Sequence, residues 1–87
     1  MIDELIGVVI YTRSGMNKRR YIGLMKNGLR HGMGWHECRD GTIYRGMWSE
    51  DKRCGHGVEI NSAWSYRYEG NYHDNLKHGF GKQVVRD

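Results

Sequence analysis

The 87-residue sequence contains no proline, only two cysteines and no long hydrophobic run. The absence of proline favours uninterrupted strand pairing, because no residue within a strand lacks its N–H donor. Cys38 and Cys54 are too few for a disulfide framework, so we expect reduced thiols and a cytoplasmic protein. The apolar stretch Ile6–Tyr11 is too short for a signal peptide or a transmembrane segment. Association with a membrane or the cytoskeleton is left open.

Hydrophobic residues are also scarce, at 38% of the sequence. This is little for a deep globular core and suits one small domain built as an elongated, single-layer sheet. The net charge of +4 permits an acidic partner. However, the basic residues are scattered among acidic ones such as Glu50 and Asp51, so we predict that the chain does not bind nucleic acid.

A repeated segment fills most of the chain. Each copy begins with tyrosine, has glycine two residues later and a large side chain four residues later, and ends in Gly-x-Gly. Repetition on this scale indicates an architecture of stacked units that bury together what one unit cannot. The three copies are Tyr21–Gly34, Tyr44–Gly57 and Tyr68–Gly81.

The pattern resembles the MORN repeat, which reads Tyr-x-Gly-x-Trp, a polar turn and His-Gly-x-Gly. The chain departs from it with Met25 at the tryptophan position, Cys54 at the histidine position and one extra residue after the second copy. The resemblance implies an all-β fold of antiparallel hairpins stacked into a short, twisted, single-layer solenoid sheet. The predicted divisions are a degenerate N-terminal half repeat (1–20) and three repeats (21–43, 44–67 and 68–87).

The spacing within a repeat predicts the hairpin without the family name. Residues at i, i+2 and i+4 share one face of a strand, and Asn27-Gly28 favours a two-residue type I′ turn. That turn predicts Met25 opposite Arg30 and, continued in register, Gly23 opposite Gly32 and Tyr21 opposite Gly34. Each tyrosine ring would then lie over glycine backbone, which explains glycines that are otherwise unfavourable in strands.

Two segments outside the repeats also carry predictions. Leu5–Tyr11 reads as a strand followed by a turn at Arg13–Gly15. Asn61–Ser65 holds the extra residue and predicts a bulge or a wider loop. Trp64 in that loop either covers the sheet edge or is an exposed anchor for a partner.

The ring-bearing face is the first candidate binding site. A solenoid sheet offers a groove that can hold an extended peptide or a helix, and MORN proteins resemble adaptors and scaffolds. We therefore favour a non-enzymatic protein-interaction module that binds an unknown protein partner, with self-association left open. The predicted groove residues are Tyr21, Met25, Tyr44, Trp48, Tyr68 and Tyr72.

The alternative function is binding of anionic phospholipid. Arg30, Arg53 and Lys77 occupy the same position in successive repeats, so stacking would align them as a basic ladder for lipid head groups. A competing interpretation is that their aliphatic stems cover the rings.

We predict no enzyme, metal or cofactor. The sequence has no nucleophile motif and no phosphate-binding glycine loop. His31, Cys54 and His78 lie one repeat apart, roughly 9–10 Å, which is too far to share an ion. We interpret this histidine as closing its hairpin by hydrogen bonding.

The opposite face of the sheet carries apolar residues in the first repeat that give way to polar ones in the third. Such a patch predicts a covering segment, either the N-terminal region or a second copy of the chain. In the first repeat this face holds Ile22, Leu24, His31, Met33 and Trp35.

Overall fold

The computed structural model describes residues 5–12, 20–38 and 40–86, with side chains from residue 20 onwards. Seven strands form one antiparallel sheet in chain order, which confirms the all-β fold. The molecule measures 51 × 35 × 17 Å, as expected for a single layer. The strands are β1 (Leu5–Thr12), β2 (Arg20–Lys26), β3 (Leu29–Glu37), β4 (Ile43–Ser49), β5 (Lys52–Asn61), β6 (Tyr66–His73) and β7 (Leu76–Val85).

Each repeated segment forms one hairpin, and the segment before them adds a strand. The predicted strand Leu5–Tyr11 is confirmed as β1, which pairs with β2. The predicted turn at Arg13–Gly15 lies outside the described residues. A lone hairpin is marginal in water, so continuous pairing across the sheet is what makes the repeats stable together.

The three hairpin turns are of the predicted primed type. Asn27 and Gly28 both have positive φ, at 51° and 77°. Such turns match the right-handed twist of the strands they connect. Beside the turn, Met25 pairs with Arg30 as expected. The central residues of the other two turns also have positive φ; these are Glu50-Asp51 and Asp74-Asn75.

Farther from the turn, the predicted register is wrong by two residues. Gly23 pairs with Gly34 rather than Gly32, and Tyr21 pairs with His36. The cause is a bulge that includes Gly32, whose φ of +92° lies in the left-handed region that glycine tolerates. A shift of two residues keeps every side chain on its predicted face. The same irregularity places Gly46 opposite Gly57 and Gly70 opposite Gly81.

The tyrosine rings lie over glycine backbone, as predicted, but diagonally. The Tyr44 hydroxyl donates to the Met47 carbonyl at 2.8 Å, which directs the ring along its own strand. The ring thereby covers the glycine pair, Gly46 and Gly57. Tyr44 is fully buried, although the described residues form no second layer over the sheet. The equivalent hydroxyl bonds join Tyr21 to Leu24 and Tyr68 to Asn71.

The predicted wider loop contains a short 3₁₀ helix, Ser62–Trp64. Asn61 is buried and holds this loop, because its side chain accepts from Ala63 N–H at 3.0 Å and donates to Thr42 Oγ1 at 3.0 Å. Trp64 is 66% exposed. This exposure favours the interpretation of Trp64 as an exposed anchor for a partner over its interpretation as a cover for the sheet edge.

Replacement of Gly57 by valine should lower the free energy of unfolding by about 1–3 kcal/mol, the scale of overpacking. A Cβ at Gly57 would lie 2.5 Å from the Tyr44 hydroxyl oxygen and 2.7 Å from Cζ, well inside contact distance. The matched control is His56→Val, because this neighbouring side chain is exposed. Thermal and urea unfolding measure the stability of both variants. Equal stability of the two variants would contradict the placement of the ring.

Candidate interaction surfaces

The ring-bearing face carries a continuous aromatic ladder, defined as Tyr21, Trp48, Tyr44, Tyr72 and Tyr68 in order of contact. Neighbouring rings meet edge to face, with interplanar angles of 84–89°. This geometry brings the positive edge of one ring to the negative face of the next. The centroid distances are 5.8 Å, 5.1 Å, 5.1 Å and 5.4 Å along the ladder.

The six residues predicted to line a partner-binding groove do come together. Five of them form the aromatic ladder, and Met25 packs against it, partly buried. However, no ladder ring is more than 5% exposed. These side chains therefore constitute the core of the sheet and offer a partner little surface. Their role in binding stays a prediction.

The three cations of the predicted basic ladder lie on these rings. The Arg30 guanidinium is 4.1 Å from the Trp48 ring centroid, and that of Arg53 is 4.4 Å from the Tyr44 centroid. Lys77 Nζ lies 4.7 Å and 5.0 Å from the rings of Tyr66 and Tyr68. Each cation therefore lies over rings of this face, within the range of cation–π attraction.

Two carboxylates pair with these three cations. Arg30 Nε donates to Asp51 Oδ1 at 2.6 Å, and Arg53 Nη1 lies 3.0 Å from Glu59 Oε2. Lys77 Nζ is 3.8 Å from the other Glu59 oxygen. The Arg30 and Arg53 side chains are only 16% and 15% exposed. The geometry favours a covering role for the cations, and their role as lipid ligands stays a prediction.

A reciprocal backbone contact joins each hairpin to the next, which we call the inter-hairpin clasp. The Asp51 N–H donates to the Arg30 carbonyl at 2.8 Å, and the Arg30 N–H donates to Asp51 Oδ1 at 3.3 Å. One repeat later, Asn75 and Arg53 form the same pair at 3.1 Å and 2.9 Å. The sequence interpretation overlooked the clasp, although Asp or Asn at the second turn position is visible in both hairpins.

His31 takes part in the same junction. Its Nδ1 accepts from the Glu50 N–H at 3.2 Å, so it connects two hairpins rather than closing its own. Among the described residues, no group of three or more His, Cys, Asp and Glu side chains is arranged to hold a metal ion. No helix in the same part of the chain is long and apolar enough to cross a membrane.

The opposite face, which we call the back face, keeps large apolar side chains in solvent. Trp35 is 47% exposed, Met33 55% and Met47 39%. Ile22 pairs with Trp35, and Met33 pairs with Met47, so these residues are contiguous across three strands. The back face therefore presents the apolar surface that the ring face lacks.

Two groups on the ring face have pKa values that reflect these contacts. Burial raises the pKa of Tyr44 to about 12, although the charge of Arg53 acts in the opposite direction. The Tyr44 hydroxyl therefore stays protonated and remains a hydrogen-bond donor. Partial burial by itself raises the pKa of Asp51, but hydrogen bonds from Arg30 and its positive charge outweigh this. They hold the pKa of that carboxyl below its ordinary 3.8.

The clasp should make the fold sensitive to acid. A carboxyl whose pKa is lower in the folded than in the unfolded state stabilises the fold fully at pH values above its ordinary pKa of 3.8. This stabilisation is lost as the pH falls through the pKa of the folded state. Asp51→Asn should therefore lose less free energy of unfolding than the wild type between pH 5 and pH 2, the span that brackets an ordinary aspartate. Urea titrations across this range measure the difference.

The matched control for this prediction is Glu50→Gln, which alters the adjacent exposed carboxylate of the same turn. It should keep the acid profile of the wild type. Identical profiles for Asp51→Asn and the wild type would show that the Arg30–Asp51 contact adds nothing to stability.

Comparison with known proteins agrees with this architecture. The family model described as MORN repeat matches residues 21–43, 44–65 and 68–84, more than half of the chain. Alsin from Mus musculus and from Homo sapiens is 35% identical over 68 residues, 72% of this chain. Alsin from Rattus norvegicus is 36% identical over 66 residues. The chain spans about 4% of the length of these relatives. The matched repeats and the hairpin sheet together show that the chain belongs to the MORN-repeat family.

Proposed function

We propose that this chain is a non-enzymatic protein-interaction module that binds its partner through the back face around Trp35. MORN repeats are generally interaction modules for proteins or membranes, and this chain matches the family in all three repeats. The observation that carries the proposal is the contrast between the two faces. The ring face is buried under its own cations, whereas the back face leaves apolar side chains uncovered.

The composition of the back face suits a protein partner. Tryptophan is prominent among the residues that dominate binding energy at interfaces, and methionine adapts its shape to a partner surface. Trp35, Met33 and Met47 supply both kinds of side chain in one contiguous patch. The three strands beneath hold the patch in place, so little order has to be gained on binding.

A shallow hollow of about 190 Å³ lies beside Trp35. It is lined by Ile22, Trp35 and Ile43, with Arg20 and Glu37 at its rim. The Arg20–Glu37 ion pair of 2.9 Å closes one side of the hollow. An apolar floor with a charged rim is the arrangement of a protein interface, so we infer that one apolar side chain of the partner enters here. We place the interaction in the cytoplasm, where Cys38 and Cys54 would stay reduced.

Replacement of Trp35 by serine should abolish partner binding while leaving the fold intact, because the side chain lies on an exposed face. The matched control is Trp64→Ser, which removes another exposed tryptophan, from the loop between β5 and β6. Affinity capture from cell extract, with quantitative mass spectrometry, compares the proteins recovered by the two variants. Thermal melting confirms that both are folded.

Two outcomes would contradict the proposal. In one, Trp35→Ser recovers the same proteins as the wild type. In the other, Trp64→Ser loses them as completely as Trp35→Ser does. Sedimentation of the purified chain provides a further arm: a dimer that Trp35→Ser converts to monomer would identify a second copy as the occupant of the back face.

The phospholipid alternative has its own test in vesicle co-sedimentation. Because Asp51 and Glu59 offset two of the three positive charges of the basic ladder, we expect little preference for anionic over neutral vesicles at about 0.1 M salt. Lys77→Ser should leave the result unchanged. Binding to anionic vesicles that is lost at about 0.5 M salt and by Lys77→Ser would instead favour the basic ladder as a lipid site.

A further inference from the structure

We propose that the back face binds an amphipathic α-helix of a partner protein, and that a carboxylate of this helix pairs with Arg45. This rests on the proposed function, because the surface is the same one around Trp35, and it adds the conformation and the charge of the partner's segment. Two observations carry it. The arginine beside Trp35 lacks a carboxylate partner, and the backbone groups beneath the back face are already paired.

The arginines of the sheet differ in their partners. Each of the strands β2 to β6 contains one arginine. Four of these side chains form close ion pairs: Arg20–Glu37 at 2.9 Å, Arg30–Asp51 at 2.6 Å, Arg53–Glu59 at 3.0 Å and Arg67–Glu69 at 2.8 Å. Arg45 in β4 is the exception, because its guanidinium contacts a ring and has no carboxylate or hydrogen-bond partner among the described residues.

Arg45 lies beside the residue at the centre of the back face. Its guanidinium is 5.7 Å from the Trp35 ring centroid, and the two residues pair across neighbouring strands. The Arg45 side chain is exposed. Contact with the ring holds the guanidinium near the surface, so less side-chain freedom is lost when a ligand binds. Because a planar guanidinium binds a carboxylate through two parallel hydrogen bonds, the ligand that suits Arg45 is Asp or Glu.

The backbone beneath this surface selects a helix. The strands β2, β3 and β4 each have a paired strand on both sides, so their N–H and carbonyl groups are largely engaged within the sheet. The back face therefore offers side chains to a partner, and a segment that covers them has to satisfy its own buried backbone groups. An α-helix does this through internal hydrogen bonds. An isolated extended segment does not, because its donors and acceptors need a neighbouring strand.

The spacing of the apolar and charged contacts fits one face of a helix. The hollow beside Trp35 is lined by Ile43, which lies two residues before Arg45 on β4. Such residues share a face of the strand and are about 7 Å apart. On a helix, side chains three or four residues apart are neighbours, with about 5–6 Å between their Cβ atoms. The partner helix should thus place a large apolar side chain in the hollow and carry Asp or Glu three or four residues away.

A second copy of this chain is a poorer occupant of the back face. Its described residues form strands, turns and one 3₁₀ helix of three residues, and they include no α-helix. Two back faces in contact would offer Arg45 the carboxylates of Glu37 and Glu69, which already pair with Arg20 and Arg67.

A library of displayed peptides provides the probe. It presents helices of about 20 residues on an alanine-rich framework, with the residues of one helix face randomised. Selection on the folded chain should enrich a large apolar residue with Asp or Glu three or four positions away. Selection on Arg45→Glu should enrich the same apolar residue with Lys or Arg in place of the acid, because the charge of the site is reversed.

The affinity of one selected peptide for variants of the chain separates charge from packing. Arg45→Met keeps an unbranched apolar stem but removes the charge, so it should bind the peptide about tenfold more weakly, the loss of one charge-assisted contact. Lys52→Glu reverses a charge at an exposed position beside the Glu50-Asp51 turn and should bind like the wild type. A peptide with lysine in place of its acid should regain affinity on Arg45→Glu. Thermal melting confirms that all variants are folded.

Several results would overturn the proposal. They are a selection that enriches no helical sequence, enriched helices without a preference for Asp or Glu, and undiminished binding of the selected peptide by Arg45→Glu or Trp35→Ser. Nuclear Overhauser contacts that show the bound peptide to be extended would also overturn it. Dimers of the free chain that Arg45→Glu converts to monomers would assign the back face to a second copy instead.

Affinity capture distinguishes this failure from failure of the proposed function. If the proteins captured by the wild type are lost with Trp35→Ser but kept with Arg45→Glu, the back face binds its partner without the acidic contact. The helix proposal then fails while the proposed function stands. If Trp35→Ser keeps the captured proteins, the proposed function fails as well.

Discussion

The structure depends on a tyrosine ring that lies flat over a pair of facing glycines. In the central hairpin, the Tyr44 ring occupies the space that side chains at Gly46 and Gly57 would otherwise fill. A single-layer sheet has no second layer to exclude water, so the ring itself excludes water from the backbone beneath. Edge-to-face contacts, each worth about 0.5–1.5 kcal/mol beyond area burial, then connect one repeat to the next. Because two of these contacts, Tyr21–Trp48 and Tyr44–Tyr72, cross between hairpins, a hairpin that is marginal alone becomes part of one stable sheet.

The same arrangement divides the molecule between stability and binding. Arg30 and Arg53 cover the rings, and Asp51 and Glu59 neutralise them, so the ring face is largely satisfied within the chain. The clasp fixes the second and third turns to the hairpins before them. Among the described residues, the back face around Trp35 keeps its apolar side chains in solvent. The proposed function places recognition on this surface, which the ring contacts do not use.

Much of the fold could be predicted from the sequence, because its signals are local. Asn27-Gly28 specifies the turn, and the Tyr-x-Gly spacing specifies the face. The register could not be predicted beyond the turn, since a bulge at Gly32 moves the pairing by two residues and leaves every face unchanged. The candidate site was harder to predict than the register. Repeat spacing gave Arg30, Arg53 and Lys77 equivalent positions but did not indicate their carboxylate partners. Asp51 and Glu59 reach Arg30 and Lys77 from a neighbouring hairpin, and Glu59 meets Arg53 from farther along the same strand. Ring burial likewise follows from the diagonal tilt of the tyrosines, and alternation alone does not indicate that tilt.

The most direct test of this account is a double-mutant cycle between Tyr44→Leu and Gly57→Ala, measured by urea unfolding. If the ring occupies the space of the missing side chain, Gly57→Ala should destabilise the wild type substantially. In the Tyr44→Leu background, where the rigid ring is gone, it should destabilise far less. The account predicts a coupling free energy of about 1 kcal/mol or more between the two sites. Additivity within about 0.5 kcal/mol would contradict it, because residues that do not share space behave independently.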